Sequence, residues 1–521
     1  MNNGKVTFKA YTMAQPSLLP PSWDELIPED HLVRVVNRVI EKIDIRPLME
    51  NYKGGGTSSY HPRMMLKVIV YAYAEKVYSC RRIAKALREN VNFMWIAGGH
   101  QPDFHTINDF RGNTMKEAVR AVFTKVLELL IEEGYVKMEN YFVDGTKIGA
   151  SANAHKVVWA KKTKHYKEKL QGKINVLLDE IERVNEQENK EYGDTDLEEM
   201  GGMGGMNSEL QKKVDELNVE LKKQSEDKAL KKAVKRLEKE HLPRLRKYEE
   251  QERVLAGRNS YSRTDPDASN LRMKEDRAAQ KPLARPAYNV QIGTENQFII
   301  GYSVHQPADD TTCFIPHMQK QTFPNHRKPK NGSGDAGYGS EENYAWLEKN
   351  NIRNFLKYNT FHKEQHPPRK PELIEKARFQ SHNFPYDPIK NVFTCPAGQP
   401  MIYRETKPYK TSTGYLSERR FYECDQCSTC PLKPKCTQAK GNRRIQFSSE
   451  LHRYRQQAKQ NLLSEQGLAL RQKRSIEPET VFGDIKFNRG FRRFSLRGLK
   501  KVETEWGIVS IAHNLRKLAA Q

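Results

Sequence analysis

The sequence predicts an α/β fold: a helical N-terminal module, then a mixed core of strands and helices broken by two insertions. Three observations predict it. Apolar residues spaced by three and four run through the first 135 positions, and a strand pattern replaces them at 137–150. Strand-like runs return at 287–304 and 353–358 with helical stretches between them, as in a layered fold. Two segments, 156–257 and 360–450, interrupt this pattern with abrupt changes of composition. The expected divisions are therefore 1–135, 136–155, 156–257, 258–359, 360–450 and 451–521.

In the first division, Leu32, Val35, Val36, Val39, Ile40 and Ile43 share one helical face after a cap at Asp30. A more apolar helix is expected from about His61 to Val77. Ser79 then caps a basic helix carrying Arg81, Arg82, Lys85 and Arg88. Thr106 and Asp109 read as a capping pair before a long helix from about Thr114 to Glu133. Short helices with a basic one among them are compatible with a helix-turn-helix arrangement, so those four cations are candidate DNA contacts.

Residues 156–257 read as an antiparallel helical hairpin. One arm carries Tyr166, Leu170, Ile174, Leu177, Ile181 and Val184, and the other Leu210, Val214, Leu217 and Leu221. Gly201–Gly205, broken only by Met203, is the reversal. The runs at 287–304 form a β-hairpin turning at Glu295–Asn296. Helices follow near 312–320, 341–350, 449–472, 479–488 and 501–519, with Pro478 in a first helical turn.

Lys and Arg total 88 against 65 acids, a net charge of +23, which points to a polyanionic partner. No run approaches the roughly 18 apolar residues of a membrane span. The first residues lack the apolar core of a secretion signal, so a cytoplasmic location is expected.

Three acids stand in separate short phrases: Asp144 in Tyr-Phe-Val-Asp-Gly-Thr-Lys-Ile, Asp335 in Gly-Asp-Ala-Gly-Tyr-Gly, and Glu479 in Glu-Thr-Val-Phe-Gly-Asp-Ile-Lys. Carboxylates converging from separate elements are hard ligands for magnesium or manganese, and two such ions serve phosphodiester chemistry. Glu477 competes with Glu479, but two residues on a helix are about 200° apart, so only one can face the metals. Asp309 and Asp310 compete with Asp335 and fit a helix cap better.

These phrases resemble bacterial insertion-sequence transposases of the DDE class, in the group with a Tyr/Arg/Glu/Lys signature. Glu479, Phe482 and Lys486 match its spacing, with Ile485 as the expected aliphatic, and Phe104–Arg111 matches its N-terminal domain. Gln472 and Ser475 stand where the signature has Tyr and Arg, with Arg474 one residue away and Arg471 three further back. The resemblance runs from about Leu19 to the closing Ile-Ala-His-Asn-Leu-Arg-Lys. It implies a ribonuclease H-like catalytic core with an N-terminal helical DNA-binding domain, the helical-hairpin insertion and a small Cys-rich insertion. It also implies Asp144, Asp335 and Glu479 holding two Mg2+ or Mn2+ ions, and a homodimer on paired transposon ends and target DNA. Alternatives are a nuclease of the same fold without strand transfer, or an inactive DNA-binding descendant.

Two further groups of residues carry expectations. Cys395, Cys424, Cys427, Cys430 and Cys436 can supply four thiolates to a structural zinc ion, whereas Cys80 and Cys313 read as core residues. Lys147, Lys486, Arg489, Arg492 and Arg493 are further candidate DNA contacts. The last three interleave with aromatics over 487–494, where a packed helix with basic flanks is the competing reading.

Overall fold

The stripe beginning at Leu32 folds as the helix Leu32–Lys42, with Val33, Val35, Val36, Val39 and Ile40 buried. The computed structural model describes residues 21–49, 52, 59–192, 211–212, 215, 228–273, 284–324 and 327–521. It divides the chain into two compact units, residues 1–130 with 507–521, and residues 131–506.

In the first unit His31, and not Asp30, caps the opening helix: its Nδ1 accepts the Val33 N–H at 3.1 Å. Asp30 lies one residue outside the position from which a side chain reaches the first free amides. Arg63, from the helix Pro62–Ala74, donates to the carbonyls of Ile40, Glu41 and Ile43, closing the opening helix with a cation. Ser79 stands at the N-cap of Cys80–Glu89 without a side-chain bond. Thr106 and Asp109 do not pair. Asp103 caps Phe104–Asp109 by accepting from the Thr106 amide at 2.7 Å, and Asp109 accepts from the Asn113 side chain at 2.6 Å.

In the second unit, β1 (Asn140–Gly149) lies inside a six-stranded sheet. β5 (Ala284–Glu295) pairs antiparallel with one edge of β1, and β7 (Asn331–Gly334) pairs parallel with the other. β8 (Arg353–Leu356) continues parallel to β7, while β4 (Ser269–Arg272) and β6 (Phe298–His305) both pair with β5. The β5–β6 turn falls at Asn296–Gln297, one residue later than expected, and both residues have positive φ. Glu295 closes the strand and its carboxylate accepts the backbone N–H groups of Lys137, Met138, Glu139 and Asn140 at 2.7–2.9 Å.

The helices Ser449–Leu463 and Glu465–Arg474 take the place of one expected helix. Ser464 is extended between them and caps the second through the Gly467 amide. Both pack on the sheet through a cluster of Phe142, Phe355, Tyr358, Phe361, Ala458, Leu462 and Leu470.

The first arm of the helical insertion is Ala160–Tyr192, and its base is closed by the strands β2 (Val157–Trp159) and β3 (Ser260–Ser262). Leu170 and Ile174 pack on Val234, Leu237, Leu242 and Leu245 of the returning helical run, which ends at Leu255. Tyr166 is exposed, so the buried face starts a turn later, at Leu170. The expected reversal at 201–205 and the positions Leu210, Val214, Leu217 and Leu221 lie outside the described residues, as do the side chains of Ile181 and Val184.

Residues 386–447 contain a five-stranded antiparallel sheet: β9 (Tyr386–Asp387), β10 (Val392–Thr394), β11 (Pro400–Lys410), β12 (Leu416–Glu423) and β13 (Arg444–Phe447). No helix among the described residues is long and apolar enough to cross a membrane.

Candidate active site

Asp144 sits on β1 beside the strand that carries Asp335. The parallel register pairs Asn140 with Asn331 and Phe142 with Ser333; carried two residues further, it sets Asp144 level with Asp335. Asp335 follows β7 and caps the short turn Ala336–Tyr338, accepting the Gly337 N–H at 2.9 Å. A Cβ at Gly145 would lie 2.1 Å from Gln291 Nε2, so a larger residue there would displace that side chain.

Glu479 comes from the first turn of Pro478–Gly483, with Pro478 at the helix start where its missing N–H costs nothing. Glu477 faces away: it is buried and its carboxylate accepts the Gln297 N–H at 2.7 Å. Burial raises its pKa, although that hydrogen bond pulls the other way.

One cation lies among the three acids. The Arg474 guanidinium is 3.6 Å from Asp335 Oδ2, 4.0 Å from Asp144 Oδ1 and 3.6 Å from Glu479 Oε1. Its side chain is only 11% exposed, and Nε is buried without a hydrogen-bond partner among the described residues. Asp144 is buried while Asp335 and Glu479 are about half exposed, and the guanidinium offsets the negative charge that the three bring together. Lys357, just past β8, faces the same region. Burial lowers its pKa, helped by Arg474 and Arg471, while Asp335 and Glu479 oppose the shift. Beneath the acids, burial together with Asp144, Asp310 and Asp335 holds the Tyr338 phenol well above its ordinary pKa, and it donates to Gln291.

Residues 394–519 match the family model "Transposase DDE domain", and residues 21–113 match "Transposase domain (DUF772)". The two matches indicate an insertion-sequence DDE transposase. The first match includes Arg474 and Glu479 and stops short of Asp144 and Asp335. No curated protein and no solved structure matches the chain.

DDE transposases generally use divalent metal ions. In this transposase no group of three or more His, Cys, Asp or Glu among the described residues is placed so as to hold a metal ion as it stands. Around Arg474 the donor set is nevertheless a fitting one, since three acceptor-only carboxylates already surround a positive charge.

Two candidate DNA contacts are corrected by burial. Lys147 is buried and pairs with Asp310 at 3.0 Å. Lys486 is buried and donates to Thr146 Oγ1 and the Lys147 carbonyl, tying the Glu479 helix to β1. β1 is buried along both of its faces and the Glu479 helix packs on it, so each of these lysines needs an internal acceptor. Asp310 is the partner and not the cap: Asp309 accepts the Thr311 N–H at 3.2 Å.

Over 487–494 the transposase forms no packed basic helix. Phe491 and Phe494 are buried and contact Trp506, whereas Phe487 is exposed under the Arg492 guanidinium. Arg492 donates to the Lys486 carbonyl, and Arg493 to those of Ala150 and Ala152, although both remain exposed; Arg489 is half-buried. Arg81, Arg82, Lys85 and Arg88 are all exposed, opposite the buried Cys80, Ile83, Ala84 and Leu87. Arg111, in contrast, is buried and bonded to Tyr73 and the Tyr78 carbonyl.

Sequence reasoning missed Lys357 and saw Arg474 only as a departure from a signature. Its distance from Glu479 was the available signal, since a turn between the two helices puts it within reach of the acid.

Proposed function

We propose that the transposase cuts DNA at the ends of its own element and joins those ends to target DNA, with Asp144, Asp335 and Glu479 as the reacting centre. One observation carries this reading: a single guanidinium lies within 4.0 Å of all three carboxylates, which come from two strands and a helix. The sheet order supports a ribonuclease H-like core, with β1 flanked by antiparallel β5 and parallel β7.

The three acids would hold Mg2+ or Mn2+, which when bound supplies Lewis-acid activation of the attacking oxygen and neutralises charge on the leaving one. Arg474 and Lys357 offer cations to the non-bridging oxygens of a scissile phosphate. The exposed cations of Cys80–Glu89 engage the transposon end, and the +23 charge draws DNA in. Two chains would bring two ends together, in the cytoplasm where the element's DNA lies.

The test uses duplexes taken from the DNA flanking the reading frame, with Mg2+ and a supercoiled target. Cleaved ends and joined products are expected from the native protein and neither from Asp144→Asn, Asp335→Asn or Glu479→Gln, with end binding retained. Cleavage without joining would reduce the enzyme to a nuclease. Full activity in all three variants would refute the site.

A further inference from the structure

The Cys-rich sheet is not used by the chemistry above, and its core is small. Phe384, Phe393, Met401, Tyr422 and Ile445 are its large buried apolar residues, and Cys395, Cys424 and Cys427 complete the cluster. A module this thin in apolar residues gains much from a cross-link. All its cysteines are free.

Three separate pieces of chain carry five thiols to one wall. Cys395 follows β10 in a tight turn, in which Gly398 donates to the Cys395 carbonyl with φ at +80°. Cys424, Cys427 and Cys430 lie after β12, and Cys436 ends the helical turn Lys433–Cys436. All five line one cavity of about 20 Å³. That is room for about one water-sized body, so the space suits a single ion and not an organic ligand.

Sulfur donors also select the ion. Among the described residues no carboxylate and no histidine lines the cavity, and its charged liners are Lys433 and Arg443. A soft site of this kind suits zinc over magnesium or calcium, and the two cations offset the negative charge of a four-thiolate complex. The Arg443 N–H already points at Cys427 Sγ, 3.3 Å away, a donor of the kind that steadies a ligating thiolate. No three thiols stand at ligand spacing in this arrangement; turning between staggered χ1 wells is what carries a cysteine sulfur from wall to centre.

Cys395, Cys424 and Cys427 are buried, and Cys430 and Cys436 are half-buried at the same cavity. We infer that four of these five thiols bind one zinc ion in a closed structural site, with the fifth remaining a thiol beside it. Each ligand loses its proton to solvent on binding, and nothing is oxidised or reduced.

The experiment is metal analysis of the full-length protein purified without chelator, followed by titration with an organomercurial while released zinc is read with a chromogenic chelator. One zinc per chain is expected, freed as four thiols are modified. Single Cys→Ser replacements at the five positions should lose the metal at four of them and keep it at one. Should the variants fail to fold, the native-protein titration decides alone. Absence of zinc after zinc-supplemented expression, with all five thiols reacting at once, would overturn the site. Retention of zinc by all five folded single variants would also overturn it.

Discussion

The guanidinium of Arg474 lies 3.6 Å from the Asp335 carboxylate, on a side chain that is 11% exposed. A fixed positive charge thus stands where the proposed metal ions would have to bind. Loading metal then requires Arg474 to move, and a DNA phosphate is the natural new partner for it. Arg474→Met is expected to tighten Mn2+ binding in the absence of DNA, on the order of tenfold or about 1.4 kcal/mol. Calorimetry with Mn2+ alone checks it; equal affinities for the two proteins would mean that the guanidinium leaves without cost.

Glu477 and Glu479 divide structure from chemistry. Glu477→Ala leaves the Gln297 N–H without its acceptor, at a cost of roughly 1–3 kcal/mol in denaturant unfolding, with cleavage retained. Glu479→Gln should abolish cleavage and leave stability unchanged. The reverse pattern would exchange their roles.

The Lys147–Asp310 pair is expected to matter for folding and not for DNA. Asp310→Ala strands a buried ammonium and should cost about 3–5 kcal/mol, with end affinity unchanged. Burial alone would raise the Asp310 pKa; Lys147, with hydrogen bonds from Asn289 and Gln291, holds it below its ordinary value of 3.8. A lowered folded pKa contributes stability above 3.8 that is lost as pH falls through the folded value, so acid unfolding of Asp310→Asn should lack that component. By contrast, Arg82→Ala with Arg88→Ala should weaken end binding and reduce the salt slope by about 0.9 for each phosphate no longer neutralised, with stability within about 0.5 kcal/mol. An unchanged gel shift would remove the helix Cys80–Glu89 from DNA recognition.

Glu295 anchors the strand that carries Asp144. Four backbone donors converge on its carboxylate, so Glu295→Ala leaves all four unmet and should destabilise by at least about 3 kcal/mol. Hydrogen exchange at Lys137–Asn140 is the direct measurement, and exchange as slow as in the native protein would contradict the role.

Leu237 is fully buried between the arms of the helical insertion. Leu237→Ala should cost about 2–5 kcal/mol locally, seen as faster proteolysis of 160–255 with the β1 amides still protected. Replacing Tyr166–Leu245 by a Gly-Ser linker should spare binding of one end and reduce the paired-end complex on native gels. Undiminished pairing would leave the arms without a part in synapsis.

The sequence by itself placed the principal strands and helices of the core and named three acids as candidates, because these depend on local spacing: a period of two or of three to four, and a proline at a helix start. Helix geometry allowed only one of Glu477 and Glu479 to face the other acids, and the spacing to Phe482 and Lys486 selected Glu479. Only the tertiary structure decided what surrounds them. Lys147 and Lys486 read as surface cations, yet both are buried, Lys147 inside the sheet and Lys486 where its helix packs on β1, and such burial depends on elements far away in the chain. Arg474 reads in the sequence as a displaced signature residue, and the packing of its helix through Leu470 is what carries it to the acids. Asp30, Thr106 and Asp109 lost their capping roles to His31 and Asp103 because a cap depends on where the chain turns, and a shift of one or more residues changes which side chain reaches the free amides.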